Sequence, residues 1–60
     1  MELKTILRLL HEDGWQVKAQ AGSHRQFVHA TKKGKVTVPV SKKDIPIGTS
    51  KSILKQAGLE

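Results

Sequence analysis

The first fourteen residues of the chain have the apolar spacing of an amphipathic helix. Apolar residues follow one another at intervals of three and four, which places their side chains on one helical face. These residues are Leu3, Ile6, Leu7 and Leu10. Asp13 is followed by Gly14, and a glycine here can take the left-handed conformation that ends a helix. We therefore expect a helix from Leu3 to Asp13, with Trp15 packing back onto Leu10.

Apolar and polar residues then alternate, as expected for strands that bury one side. The stretch from Trp15 to Gln20 predicts a half-buried strand whose covered side carries Trp15, Val17 and Ala19. A turn at residues 21–23 leads to a second predicted strand, His24 to Thr31. The segment Lys32 to Gly34 is then a short connection.

The third predicted strand runs from Lys35 to Val40, where valine occupies every second position. Pro39 has no backbone N–H to donate, which favours the edge of the sheet for this strand. Residues 41–48 contain two lysines, Pro46 and Gly48, and are expected to form an ordered connection with Ile45 or Ile47 turned inward.

A second helix is predicted after this connection, with Thr49 as its N-cap and with Ile53, Leu54 and Ala57 on one face. Gly58 and Leu59 repeat the stop signal of the first helix. The predicted order is α-β-β-β-α. It gives a two-layer α+β fold, a three-stranded antiparallel sheet with both helices on one face. We expect one domain over residues 1–60.

The charge of the chain narrows its possible partners. Eleven Lys and Arg stand against five Asp and Glu, a net charge of +6, which suits a nucleic acid or an acidic protein. A membrane is disfavoured, because neither predicted helix combines a basic face with large aromatic residues. No signal sequence or bilayer-spanning stretch is recognised, so a cytoplasmic location is expected. Without cysteine, disulfides and thiolate zinc sites are excluded.

The histidines are the candidates for proton chemistry. His24 and His29 lie five residues apart, so on a regular strand they face opposite sides. If Phe27 faces the core, His29 is covered and His24 is on the open side; if Val28 and Ala30 face the core, the sides are exchanged. The five carboxylates are scattered, and no set of ligands or paired acids is recognised. Neither a metal nor a cofactor is expected.

A single imidazole in a basic protein suits RNA cleavage, because the ribose 2′-hydroxyl supplies the nucleophile and the enzyme adds proton transfer and positive charge. His24 is the candidate proton carrier. Arg25 should point away from it on an ideal strand, so the lysines are equal candidates for the charge. The residues proposed to contact RNA are Lys18, Ser23, Arg25, Lys42 and Lys43. The alternative is that His24 and these lysines are simply solvated.

Five short segments at characteristic spacing resemble those of one protein family. They are Gly14-Trp15, Gly22-Ser23-His24-Arg25-Gln26-Phe27, Val36-Thr37-Val38-Pro39, Gly48-Thr49 and Ser52-Ile53-Leu54-Lys55-Gln56-Ala57-Gly58-Leu59. Together they resemble the HicA family of toxin mRNA interferases, over nearly the whole chain.

This resemblance implies a fold like that of double-stranded-RNA-binding domains, metal-independent cleavage of mRNA, and His24 as the catalytic residue. It also implies neutralisation by a HicB-type antitoxin protein encoded alongside. A non-catalytic RNA-binding module of the same fold is the alternative. The chain departs from the family in two ways: Val40 and Ser41 stand where a further histidine is common, and Ser50 stands where leucine is usual. The change at Ser50 predicts a loss of about 1 to 2 kcal/mol of apolar burial.

Overall fold

A computed structural model describes residues 1–60 and has the expected order of elements. The elements are α1 (Leu3–Asp13), β1 (Trp15–Ala21), β2 (His24–His29), β3 (Val36–Pro39) and α2 (Ile47–Gln56). The three strands form one antiparallel sheet in the order β1-β2-β3. The predicted α+β fold is confirmed, and β3 is an edge strand as Pro39 indicates.

Both helices end as the sequence predicts. Gly14 has φ +102°, and its N–H donates to the carbonyl of His11 at 3.0 Å. Gly58 has φ +73°, and Leu59 N–H donates to the Leu54 carbonyl at 2.8 Å. These hydrogen bonds satisfy carbonyls that the last helical turn would otherwise leave unpaired.

One apolar core lies between the sheet and the two helices. Its nine buried residues come from every element and from the connection before α2: Ile6, Leu10, Trp15, Phe27, Val36, Val38, Ile45, Ile53 and Ala57. Phe27 therefore faces the core, and of the two candidate isoleucines it is Ile45 that turns inward. Ile47 is 73% exposed. Neither helix has the length and apolar character that crossing a bilayer requires.

The alternation predicted for β1 is wrong beyond Val17. The pairing register shifts between Val17 and Ala19, so that Val17 lies opposite Phe27 whereas Ala19 lies opposite Gln26. This bulge at Lys18 moves Ala19 to the open side of the sheet, because one extra residue reverses the facing of the residues that follow. Val17 stays on the covered side but is 54% exposed at the sheet edge.

The predicted ends of the other two strands also need correction. β2 stops at His29 instead of Thr31, because the His29 Nδ1 atom accepts the backbone N–H groups of Thr31 and Lys32 and bends the chain away from the sheet. β3 is limited to the four residues Val36–Pro39.

The predicted start of α2 is wrong as well. The helix begins at Ile47 after Pro46, and Thr49 lies within its first turn instead of capping it. Proline has the backbone dihedral φ −53° here and leaves its carbonyl free to accept the Ser50 N–H at 2.8 Å. Ser50 is buried, and its hydroxyl donates to the carbonyl of Ile45 at 3.2 Å. The lost apolar burial is thus accompanied by a hydrogen bond that leucine cannot make.

The topology gives the molecule two distinct ends. At one end, Val40 N–H donates to the Ser23 carbonyl at 2.7 Å and Leu3 N–H donates to the Lys43 carbonyl at 2.8 Å. We call this the turn end; it holds the β1–β2 turn and the first residues of both helices. At the other end, Lys32 joins the last residues of both helices, and we call it the brace end.

Candidate functional site

His24 is the first residue of β2 and stands at the turn end. It pairs with Ala21 on one side and with Pro39 on the other, so residues 22 and 23 are the whole loop. Gly22 has φ +58° whereas Ser23 has a negative φ, which is the pattern of a type II′ hairpin turn. His24 is exposed and lies on the open face of the sheet, opposite to the buried Phe27.

The neighbours of His24 on the open face carry no charge. The register places Ala19, Gln26 and Thr37 in the adjacent row. The imidazole makes no hydrogen bond within the chain, and no carboxylate lies within ion-pair distance of it. Both of its ring nitrogens are therefore available to a molecule bound from outside.

Three of the sequence candidates lie at the same end as His24. Ser23 precedes it in the turn and is half-buried, with its carbonyl held by Val40. Lys42 and Lys43 follow β3 directly, and both side chains are exposed. The structure therefore brings Ser23, Lys42 and Lys43 to the end of the sheet that His24 occupies.

Arg25 and Lys18 are placed differently. Arg25 lies opposite the buried Val38, on the covered side, and its Nε atom donates to Gln20 Oε1 at 3.0 Å. It stands beside the turn but on the other face from His24. Lys18 is exposed at the bulge, three residues before Ala21 and thus about 10 Å along β1 from the pairing partner of His24.

Most of the positive charge is free of internal partners. Among the Lys and Arg side chains, only Lys4, at 3.7 Å from Glu2, and Lys32, at 2.5 Å from Asp13, lie within reach of a carboxylate. The other cations are left to solvent or to an external anion.

His29 is already fully engaged within the fold. Its Nδ1 atom accepts the N–H groups of Thr31 at 3.1 Å and Lys32 at 3.2 Å, so the ring proton lies on Nε2, which donates to the Asp13 carbonyl at 2.5 Å. The ring meets the Trp15 indole edge to face, with centroids 5.2 Å apart. His29 therefore lies on the covered side of the sheet, as expected if Phe27 faces the core. His11 is exposed on α1.

Lys32 makes contacts that the sequence did not reveal. Its ammonium donates to the Asp13 carboxylate and, at 3.0 Å, to the carbonyl of Ala57. The hydrogen bond from Lys32 is the main cause that lowers the pKa of Asp13; the Trp15 indole N–H, which donates to the same carboxylate, acts in the same direction. The partners are 19 and 25 residues away along the chain, so no local pattern could have identified them.

The structure contains no group of three or more His, Asp or Glu side chains arranged to hold a metal ion. In a comparison with known families, residues 3–59 match the model of the HicA toxin of bacterial toxin–antitoxin systems. No curated protein sequence matches the chain. The family match includes the Gly22-Ser23-His24 turn and both helices and leaves out three of the 60 residues. The chain therefore belongs to the HicA family of toxins of bacterial toxin–antitoxin systems.

Proposed function

We propose that this toxin is a metal-independent endoribonuclease that cleaves mRNA in the cytoplasm, with His24 as its catalytic residue. HicA toxins are known as a family of RNA-cleaving toxins. The observation that carries the proposal for this chain is the state of His24. It is an exposed imidazole with no internal partner, whereas His29 is held by hydrogen bonds on both ring nitrogens and by the Trp15 indole.

The chemistry requires only proton transfer and charge stabilisation. The ribose 2′-oxygen forms a bond to the adjacent phosphorus while the bond from phosphorus to the 5′-oxygen breaks. His24 takes the proton of the 2′-hydroxyl or gives a proton to the departing 5′-oxygen. A water molecule accepts or donates the proton in the other of these two transfers. Positive side chains stabilise the negative charge that builds up on the phosphoryl oxygens.

Lys42 and Lys43 are the best placed of the proposed phosphate contacts. They lie at the turn end, exposed and without carboxylate partners. Ser23 precedes His24 in the turn and carries a hydroxyl there. Arg25 approaches the same end from the covered side, and Lys18 extends the positive surface along β1, so these two suit flanking phosphates better than the cleaved one.

A gel assay on a defined mRNA, with chelator present, tests the catalytic role. We expect His24→Ala and His24→Gln to cleave about 100-fold to 10,000-fold more slowly than the parent, the usual contribution of a general acid or base. His11→Ala is the matched control, because His11 is an exposed histidine on α1, and it should cleave like the parent. Circular dichroism of each variant shows that folding is retained.

Three results contradict parts of the proposal. Full activity of His24→Ala excludes the catalytic role, and activity that disappears with chelator excludes metal independence. RNA that is bound by the parent but never cleaved indicates the non-catalytic RNA-binding module.

The proposal includes a HicB-type antitoxin as the protein partner. An acidic surface suits a toxin of net charge +6 whose cations are mostly unpaired. Co-expression with the protein encoded beside the toxin should restore growth and yield a complex that survives purification.

A further inference from the structure

A second basic surface lies on the outer side of α1, away from the sheet. Two shallow depressions adjoin there; one is lined by Glu2, Leu3, Lys4 and Lys43, and the other by Lys4, Thr5 and Arg8. They share Lys4, so the three cations form one continuous surface. We call Lys43, Lys4 and Arg8 the α1 track.

The α1 track starts close to His24. Pro39 pairs directly with His24, and Lys43 is four residues further along the chain, so the Cα atoms of Pro39 and Lys43 are at most about 14 Å apart. The Lys43 carbonyl accepts the N–H of Leu3 at 2.8 Å, which fixes the lysine to the first turn of α1. A nucleic acid strand can therefore reach both places within a few nucleotides.

The charges of the α1 track are available for phosphate. Arg8 and Lys43 are exposed and have no carboxylate partner. Lys4 has one, Glu2, but the pair spans 3.7 Å and its side chains are 84% and 65% exposed, and such surface pairs contribute little energy. A phosphate can therefore replace Glu2 as the partner of Lys4.

The open face of the sheet carries little charge with which to hold an RNA backbone. Apart from His24, the paired strand residues of this face are uncharged; they are Gln16, Ala19, Ala21, Gln26, Val28, Thr37 and Pro39. Lys18, unpaired at the bulge, is the only lysine within the three strands. The phosphate backbone dominates the affinity of proteins for nucleic acid. Strong binding therefore needs cations outside this face.

We propose that RNA held at His24 continues around the turn end past Lys43 and along α1, where Lys4 and Arg8 bind phosphates of the flanking nucleotides. This inference rests on the proposed function of His24. It assigns phosphate binding to Lys4 and Arg8, two residues whose helical spacing by itself indicates only a solvated face. The planar guanidinium of Arg8 can grip a phosphate through two parallel hydrogen bonds.

Binding of a single-stranded mRNA fragment, measured over a range of NaCl concentrations, tests the α1 track. A His24→Ala background prevents cleavage during the measurement. Lys4→Gln with Arg8→Gln should weaken binding roughly tenfold. The slope of log affinity against log salt should become shallower by about 0.7 for each phosphate that the protein no longer binds. The control is Lys33→Gln with Lys35→Gln, which removes the same charge from the brace end and should have a much smaller effect.

Cleavage assays on proteins that retain His24 separate this inference from the proposed function. If Lys4→Gln with Arg8→Gln raises KM and leaves kcat unchanged, the α1 track is supported. If binding, slope and KM are unchanged, or if the control pair has an equal effect, the α1 track is excluded. The α1 track is also excluded as an RNA-binding surface if these two substitutions weaken only the binding of the antitoxin. If the parent binds through the α1 track but cleaves nothing, the α1 track stands and the proposed function fails.

Discussion

At the scale of single residues, the two histidines of β2, His24 and His29, differ in their surroundings. His24 follows a two-residue turn and has no partner in the chain, whereas every polar atom of the His29 ring is bonded. The contact of His29 with α1 depends on Gly14. A Cβ atom at Gly14 would lie 2.8 Å from the His29 Nε2 atom, and Gly14 has φ +102°.

We expect Gly14→Ala to be more destabilising than a change in backbone preference alone explains. Gly34→Ala is the control, because Gly34 has φ +89° but no atom within 4 Å of its missing Cβ. The control should lose about 1 to 2 kcal/mol of unfolding free energy. Gly14→Ala should lose at least about 1 kcal/mol more, because His29 must also shift and weaken its hydrogen bonds. Equal losses in urea unfolding would contradict this reasoning.

Ser50 gives a second prediction at this scale. Ser50→Ala removes the hydroxyl that donates to Ile45 and should cost about 0.5 to 1.5 kcal/mol. Ser50→Leu, which introduces the residue usual in the family, removes the same hydroxyl, but its extra carbons can enter the apolar depression that Ser50 lines together with Ile47 and Leu54, so it should lose less stability than Ser50→Ala. The exposed Ser52→Ala is the control and should change stability by less than about 0.5 kcal/mol. A Ser50→Leu variant less stable than Ser50→Ala would show that this depression cannot take the larger side chain.

At the scale of elements, the brace end joins parts of the fold that are distant in the chain. Lys32 lies between β2 and β3 and contacts the end of α1 through Asp13 and the end of α2 through Ala57. Because the hydrogen bond from Lys32 lowers the pKa of Asp13 in the folded protein, it stabilises the fold above the pKa of an unfolded aspartate, about 4. This stabilisation is lost as the pH falls through the folded value.

Lys32→Met should therefore lower stability at pH 7, and the difference from the parent should narrow as the pH falls below about 4. The methionine keeps the apolar length of the lysine side chain, so charge and hydrogen bonding are the main change. Lys33→Met is the control, because Lys33 is exposed and has no carboxylate partner. Thermal unfolding across this pH range checks the prediction. A difference that stays constant with pH would mean that the Asp13 pair is not its cause.

Local features of the fold could be predicted from the sequence, whereas features that depend on distant partners could not. The end of α1 at Gly14 follows from spacing and a helix stop signal, and the inward position of Phe27 follows from its size. The bulge at Lys18 depends on pairing with another strand, and the early end of β2 depends on where the His29 ring lies. The outward placement of His24 followed once Phe27 was assigned to the core. The α1 track was missed because periodicity shows where Lys4 and Arg8 point, but not that Lys43 joins them.

At the scale of the whole molecule, a net positive charge is confined to a small volume. The chain measures 28 × 25 × 16 Å, and most of its cations have no carboxylate partner. The Debye length is about 30 Å at 0.01 M salt and about 8 Å at 0.15 M. At low salt each cation therefore repels all the others across the protein.

We expect the thermal midpoint of unfolding to rise when NaCl is increased from about 0.01 M to about 0.15 M, because screening relieves this repulsion. A polyanion added at low salt should raise the thermal midpoint more than NaCl does, and at a lower concentration, because it binds the folded protein. Differential scanning calorimetry measures both. A midpoint that falls with salt would mean that attractive pairs such as Lys32 with Asp13 outweigh the repulsion.

The two-residue loop before His24 also limits how the site can change over evolution. Because residues 22 and 23 are the entire connection, deleting one of them would leave too few residues for the turn, shift the register and exchange the two faces of β2. His24 would then point into the core, and Phe27 would point into solvent. The loop before His24 therefore has no residue that can be removed, unlike the long surface loops on which many other sites are built.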